Sequence, residues 1–313
     1  MTQAARTGLL QICLAGVLWG TGGLAVQVVR DHASLSALTI SGYRTGVAAL
    51  VLVVVALCCR RLGGVRVLLR ADPGRVALVG LATAAYQALY FASVVLVGVT
   101  VSTVVSLGLA PLLLVARDAV ATRSRPAGVA PTLVALVGLV LVSGTASLGG
   151  TGPSPVLGVL AAVGSGTAYA AATALGEPLA RRADPLALTT AATVVGAAGL
   201  VPVALAVEVV VGGPVGTADP VALGTLVYLG ALTFALAYAL LYAGLRTTAS
   251  SAAVVATLVE PVTAGLAATV FLGERLGVVG VVGMVLVLAA IASLGRPTRS
   301  VSARPGPASA PAR

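Results

Sequence analysis

Residues 258–265 read LVEPVTAG, and the segment that runs into them, SSAAVVATLVEPV (250–262), has a counterpart earlier in the chain, TVSTVVSLGLAPL (100–112). The two align at an offset of 150, which sets Pro261 over Pro111. Two further matches fall in order around them. LAGVLWGTGG (14–23) pairs with LAAVGSGTAY (160–169) at an offset of 146, and GLAT (80–83) pairs with GALT (230–233) at 150. Any one match is weak in so simple a sequence. Three in order, at a nearly constant offset, point to an internal duplication. The chain therefore reads as two similar halves, each carrying an oily segment with a proline inside it.

The composition says what surrounds those halves. Hydrophobic residues make up 58% and charged residues 9%, with a mean hydropathy of +1.08. A soluble domain carries about 25% charged residues. A chain this apolar has too little polar surface to cover itself, so the bilayer is its solvent. A membrane helix needs about 20 apolar residues, and such runs fall near 9–29, 35–57, 75–97, 101–121, 127–146, 156–178, 185–208, 222–245, 251–272 and 277–295. The first is too long for the apolar core of a signal peptide and is read as the first span. The breaks carry turn chemistry: RDHAS, RRLGGVRVLLRADPGR, RSRPAG, LGGTGPSP, RRADP and VGGPVGTADP. The tail, 297–313, is rich in Pro, Ser and Arg and is expected to be disordered.

Ten spans put both termini on one side. Fifteen of the nineteen arginines fall on that side, against Arg30 and Arg275 on the other, with Arg44 and Arg117 inside spans. The excess of basic residues marks that side as cytoplasmic, so both termini are expected in the cytoplasm of a cell with a bacterial-type plasma (inner) membrane. The formal charge of +10 is thus a matter of orientation, and no nucleic-acid partner is expected.

Five spans per half is an odd number, so the second half enters the membrane from the opposite side. The expected fold is an all-α integral membrane protein of ten transmembrane helices, in two inverted five-helix repeats at 1–148 and 149–296. Inverted repeats suit alternating access, because two similar halves can exchange conformations around a central site. Small residues support close packing. Gly158, Ala162, Gly166, Ala170 and Ala174 run at i+4 along span 6, and Gly16 and Gly20 do so along span 1. Such stripes let helix backbones approach in lipid.

The residues resemble a known family. LAGVLWGTGGLAVQVV (14–29), followed by the arginine of ISGYRTGVAALVL (40–52), is similar to the opening of EamA-type proteins of the drug/metabolite transporter superfamily. LVEPVTAGLAATVFLGERLGVVGVVGMVLVLAAI (258–291) is similar to the end of their second repeat. The likeness covers about residues 8–295. It implies ten helices in two inverted repeats, a central cavity and movement of small metabolites, often amino acids or toxic compounds, commonly outward. The first repeat departs from the pattern, with VARDAVATRSRP (115–126) where a second LGER turn would stand, and Ser165 occupies the place of Trp19.

Candidate site residues follow from depth. Glu260 lies about 13 Å into its span, near the middle of a core about 30 Å thick, where a charge costs about 2.5–3.5 kcal/mol. Two readings stand: Glu260 faces a cavity and serves proton coupling or binds a substrate amine, or it hydrogen-bonds a neighbouring helix. Pro261 lacks an N–H and crowds the carbonyl of Thr257, as Pro111 would that of Leu107. Paired prolines in corresponding helices point to a binding region, though a simple kink explains them equally. Arg44, about nine residues into span 2, reads as a structural tie or a snorkelling residue. Tyr86 and Tyr90 share a face of span 3 beside Gln87, too deep for an interfacial belt, and line a cavity in this reading. Tyr238 and Tyr242 stack at i+4 on span 8, and Trp19 and Gln27 on span 1 are further candidates. Gly16, Gly20 and Gly166 are packing positions that could also ease rocking.

Other classes fit less well. An intramembrane enzyme needs a nucleophile with a base, or a metal cluster, at depth; the one histidine, His32, is expected in a short loop outside the spans, and Cys13, Cys58 and Cys59 have no metal spacing. A channel would show a ring of acidic residues or a filter loop. No phosphate-binding loop is present, and the chain has no lysine. The expectation is a secondary transporter with no cofactor, moving a small-molecule substrate with or without coupled protons, for export, with an uptake carrier or exchanger as the alternative.

Overall fold

Four helices in this chain begin where an Asp or Ser precedes a proline. α4 (Pro73–Val97), α7 (Pro155–Arg182), α8 (Pro185–Val211) and α9 (Pro220–Gly230) all start this way. Proline suits the first turn because its missing N–H has no acceptor there. The Asp184 carboxylate accepts from the N–H groups of Leu186 and Ala187, and Asp219 accepts from that of Ala222, so two of the four also have side-chain caps. α8 ends at Gly212, whose φ of 72° is the left-handed conformation that favours glycine.

The computed structural model describes residues 3–122, 129–144, 154–271 and 277–294. Every regular element among them is helical: besides those above, α1 (Gln3–His32), α2 (Ala37–Cys58), α3 (Leu62–Ala71), α5 (Val99–Thr122), α6 (Val129–Gly144), a π-helical turn (Ala231–Leu236) that joins α9 to α10 (Ala237–Leu245), α11 (Ser250–Ala256), α12 (Val259–Phe271) and α13 (Val278–Leu294). Among the described residues, eight segments are long and apolar enough to cross a membrane, counting Pro220–Leu245 and Ser250–Phe271 as one each. α6 and α13, at the places of the fifth and tenth expected spans, are apolar but shorter, with 16 and 17 residues, or about 24–26 Å at 1.5 Å per residue. The basic turn RSRPAG, the LGER turn and the tail lie outside the described residues, as does most of LGGTGPSP.

The structure corrects one break. The segment between spans 2 and 3, expected to be a loop, contains the helix α3, which is amphipathic and anchored through the buried Val65. Its ten residues and its arginines hide it from a search for spans.

The two prolines behave differently. Pro111 sits inside α5, which continues through it. Ahead of Pro261 the helix breaks: α11 ends at Ala256, α12 starts at Val259, and the Thr257 carbonyl accepts instead from the Glu260 N–H at 2.9 Å. The tighter i+3 bond takes up the acceptor that proline cannot serve.

Packing follows the small residues. α1 lies on α9 and α10 along one side and on α12 along another; α7 lies likewise on α4 and α5; α2 packs on α8 and on α9, α4 on α8, and α6 on α13. A Cβ added at Gly16 would lie 2.6 Å from Val259 and 3.1 Å from the Thr257 carbonyl oxygen, and one at Gly20 only 2.6 Å from that of Glu260. At Gly166 it would meet the Ser106 carbonyl oxygen at 2.6 Å. The stripes of spans 1 and 6 are therefore contact seams. Large apolar side chains such as Val120, Val210 and Val270 stand exposed on the outside, as expected of a surface facing lipid.

Candidate functional site

The seams leave a gap in the middle. A cavity of about 310 Å³ lies between α1, α2, α4, α5, α7, the α9–α10 rod and the α11–α12 rod. Its mouth is at the end where α1 passes to α2 and α4 to α5, lined by Val26, Gln27, Arg30, Ala37, Val94 and Val99. Its floor holds Trp19, Tyr86, Tyr169, Tyr238, Arg44 and Glu260. From Arg30 down to Trp19, α1 descends about 16 Å, roughly half a bilayer core.

The helix break presents Glu260. Gly16 and Gly20 bring α1 against the backbone at 257–260, and the turn aims the Glu260 side chain into the cavity. Among the described residues its carboxylate has no hydrogen-bond or ion-pair partner. Beside the break, the Thr257 hydroxyl donates to the Val254 carbonyl and pairs with the Tyr169 hydroxyl at 2.9 Å each. Tyr169 in turn stacks on Tyr86, with ring centroids 5.0 Å apart. The tyrosine wall is thus tied to the break by a hydrogen bond between two buried groups.

Arg44 stands across the cavity. Its Nη2 donates to the Thr233 carbonyl at 2.8 Å, and its guanidinium lies 5.5 Å from the Phe234 ring centre. Thr233 and Phe234 belong to the π-helical turn. Such turns widen a helix by one residue and recur at functional sites. Here the turn puts a carbonyl and an aromatic face against a buried cation. The Arg44 Nε and the Gln87 Nε2 are buried without partners. Arg44 and Glu260 share the cavity but make no ion pair within 4 Å.

Most of the residues singled out from sequence meet here. Glu260, Tyr86, Tyr90, Gln87, Trp19, Gln27, Tyr238 and Arg44 all line the cavity. Trp19 packs edge-on against Tyr238 at 5.2 Å, and Tyr90 pairs with the Thr103 hydroxyl at 2.9 Å. Tyr242 does not line it. It sits one turn further along α10, buried at 2% exposure, beside two narrow voids below the tyrosines. The i+4 step that stacks it on Tyr238 carries it past the floor. Pro111 and Pro261 lie off the lining, Pro261 acting through the break. Gly16, Gly20 and Gly166 lie at helix contacts.

Sequence reasoning missed Tyr169, Phe91 and the Thr233 carbonyl. Tyr169 ends the match LAAVGSGTAY, opposite Gly23, and lies on the small-residue seam, so an aromatic among small residues was the available signal. Glu208, also missed, is 6% exposed and accepts from the hydroxyls of Ser36 at 2.6 Å and Thr39 at 2.7 Å. It fastens the end of α8 to the start of α2.

The opposite end is closed. Gly8 and Gly244 bring α1 and α10 into backbone contact, and the Thr247 hydroxyl donates to the Ala4 carbonyl at 3.1 Å. An ion-pair cluster around Glu177 joins α5, α7 and α11 there. Among the described residues no group of His, Cys, Asp or Glu is arranged to hold a metal ion.

Residues 156–296 match the EamA-like transporter family. The chain is 30% identical over 215 residues to the uncharacterized transporter YwfM of Bacillus subtilis (strain 168), a stretch covering 68% of this chain and 70% of that protein. A solved crystal structure superposes on it with a TM-score of 0.75 at 20% identity, over 93% of this chain and 96% of its own. At that identity the likeness speaks for the fold.

Proposed function

Because the chain belongs to the EamA-like transporter family, we propose that this membrane protein is a secondary transporter that exports a small amino acid-like or amphipathic metabolite by alternating access. In this reading the chain crosses a bacterial-type plasma membrane ten times, with both termini in the cytoplasm and with inverted repeats at 1–148 and 149–296. The mouth of the cavity then faces outside.

The observation that carries the reading is the cavity itself. It is open at one end, closed at the other, and holds at its floor the Glu260 carboxylate, without a partner among the described residues, and the Arg44 guanidinium, whose Nε is buried and unpaired. A zwitterion fits such a floor, its cationic group toward Glu260 and its anionic group toward Arg44 and the Gln87 amide, with the tyrosines and Trp19 around an apolar part. The packing supports the inverted repeats. Exchanging spans 1–5 with spans 6–10 turns the contact of α1 on α12 into that of α7 on α5, and the contact of α1 on α9–α10 into that of α7 on α4. The pairs α2–α8 and α6–α13 map onto themselves.

The test has two parts. Metabolites in the medium of cells with and without the protein are compared, and the compounds that differ are assayed for flux in proteoliposomes bearing the parent chain or Glu260→Gln. Saturable flux that Glu260→Gln reduces is expected. Unchanged flux with an unchanged pH profile would remove Glu260 from the mechanism, and non-saturable flux would point to a pore.

A further inference from the structure

We propose that Glu177 and Asp31 are paired gate residues, each closing one end of the cavity by capping the amino end of a helix in its own half of the chain. The proposal rests on the reading of alternating access between inverted repeats.

The first member of the pair is visible. Glu177 lies near the end of α7, and its Oε2 accepts from the backbone N–H of Ser250, the first residue of α11, at 3.0 Å. Its Oε1 accepts from Arg181 at 2.9 Å, and Arg117 of α5 stands 3.8 Å from Oε2 while donating to the Ser250 hydroxyl at 2.9 Å. One carboxylate thus ties three helices at the closed end. The amino end of a helix carries free N–H groups and a partial positive charge, so an anion placed there is held well. α11 has no cap of its own, since the preceding residue is Ala249.

The second member follows from the duplication. At the offset of 146 that pairs LAGVLWGTGG with LAAVGSGTAY, Glu177 falls on Asp31; at the offset of 150 that pairs the proline segments, Ser250 falls on Thr100. Asp31 is the acid at the end of α1, and Thr100 is in the first turn of α5. Both belong to the open end: Arg30 and Val99, their chain neighbours, line the mouth. Among the described residues no side chain caps the first N–H groups of α5, and Asp31 is exposed, accepting from the Gln27 amide of its own helix at 2.8 Å. The same acid and the same helix start are therefore joined at the closed end and parted at the open one. In the opposite state, Asp31 reaches the α5 amino end and closes the mouth while Glu177 releases α11.

The test uses the full chain in membrane vesicles, with the three native cysteines replaced by serine and single reporters introduced as Val26→Cys at the mouth or Ala253→Cys behind the Glu177 cluster. A membrane-impermeant maleimide is applied to right-side-out and inside-out vesicles. Glu177→Gln should change the ratio of mouth to inner labelling about tenfold toward the inner reporter, the equivalent of one charge-assisted hydrogen bond. Adding Asp31→Asn should return the ratio toward that of the parent, a compensation that misfolding does not produce. A rise at Ala253→Cys with no fall at Val26→Cys would mean that the two ends are not coupled, and would overturn both alternating access and the paired gates. No change at either reporter would overturn the gates alone, leaving transport to be judged by the flux of Glu260→Gln.

Discussion

Replacing Gly20 with alanine tests whether close contact between α1 and the helix break builds the site. An alanine Cβ there would lie 2.6 Å from the Glu260 carbonyl oxygen and 2.6 Å from the Thr263 Cβ. Ordinary C···O contacts lie at about 3.3–3.6 Å, so α1 and α12 must part by roughly 0.7 Å or more. Neither contact atom is the end of a flexible side chain. Overpacking of this kind costs about 1–3 kcal/mol, against a gain of about 1 kcal/mol from alanine's better helix propensity. Gly224→Ala supplies the reference. It lies in α9 with nothing within 4 Å of its added Cβ, and so takes the propensity gain without the clash. The difference between the two variants isolates the clash. At about 2–4 °C per kcal/mol for a chain of a few hundred residues, Gly20→Ala should unfold some 2–12 °C below Gly224→Ala. Trp19 is the one tryptophan and adjoins Gly20, so its fluorescence in detergent reports both global unfolding and the packing against Tyr238. Flux should fall as well, since the wedge acts on the backbone that carries Glu260. If Gly20→Ala melts with or above Gly224→Ala and keeps its tryptophan spectrum, the contact does not hold the break and the argument fails.

Other outcomes follow from particular contacts. Arg44→Lys keeps a charge but loses the planar group lying against Phe234 and the Thr233 bond geometry; flux should drop at least tenfold with the chain still folded, and parental flux would show that Arg44 touches neither substrate nor gate. Glu208→Ala strands the hydroxyls of Ser36 and Thr39 and should lower stability by about 1–3 kcal/mol; denaturation midpoints matching the parent would dismiss it as a fastener of α8 to α2. Asp219, held below the usual carboxylate range chiefly by the Ala222 N–H and also by His32, stabilises the fold above its unfolded pKa. That contribution is lost as pH falls through its lower folded value. Asp219→Asn should therefore flatten the loss of stability below about pH 4, and identical acid profiles would exclude it.

What the sequence made legible is what period and composition encode. Oily runs marked the helices to within a few residues, and small residues at i+4 marked the seams at Gly16, Gly20 and Gly166. Depth along a span singled out Glu260, Tyr86 and Tyr90, which share one cavity. What stayed hidden depends on tertiary register. α3 lacks the length that identifies a span. Tyr242 repeats Tyr238 four residues on, and only the height of the floor separates them. The Arg44 site needs a backbone carbonyl from a π-helical turn, and nothing in ALTFAL (231–236) announces the extra residue. The acid Glu208 reads as an oddity near the end of an oily run until α2 is seen beside it.

The two deformed rods explain why the halves are alike in packing and unlike in chemistry. Span 8 carries the π-helical turn and span 9 the break at 257–258, whereas their counterparts α4 and α5 run without interruption. A deformed membrane helix leaves backbone groups that need other partners. Here the Thr233 carbonyl turns inward to Arg44, and beside the break the Thr257 side-chain hydroxyl bonds Tyr169. The second half thus contributes the irregular backbone, and the first half contributes side chains set on straight helices: Trp19, Arg44, Tyr86 and Gln87. Such a division keeps the shared packing surfaces free of the site's demands. It also predicts an asymmetry. Restoring regular helix with Pro261→Ala should disturb Glu260 and Tyr169 and reduce flux, whereas Pro111→Ala, in a helix that already continues through its proline, should leave flux within about twofold of the parent. Equal losses from the two substitutions would show that the prolines act as symmetric hinges, and that the break is not what presents the carboxylate.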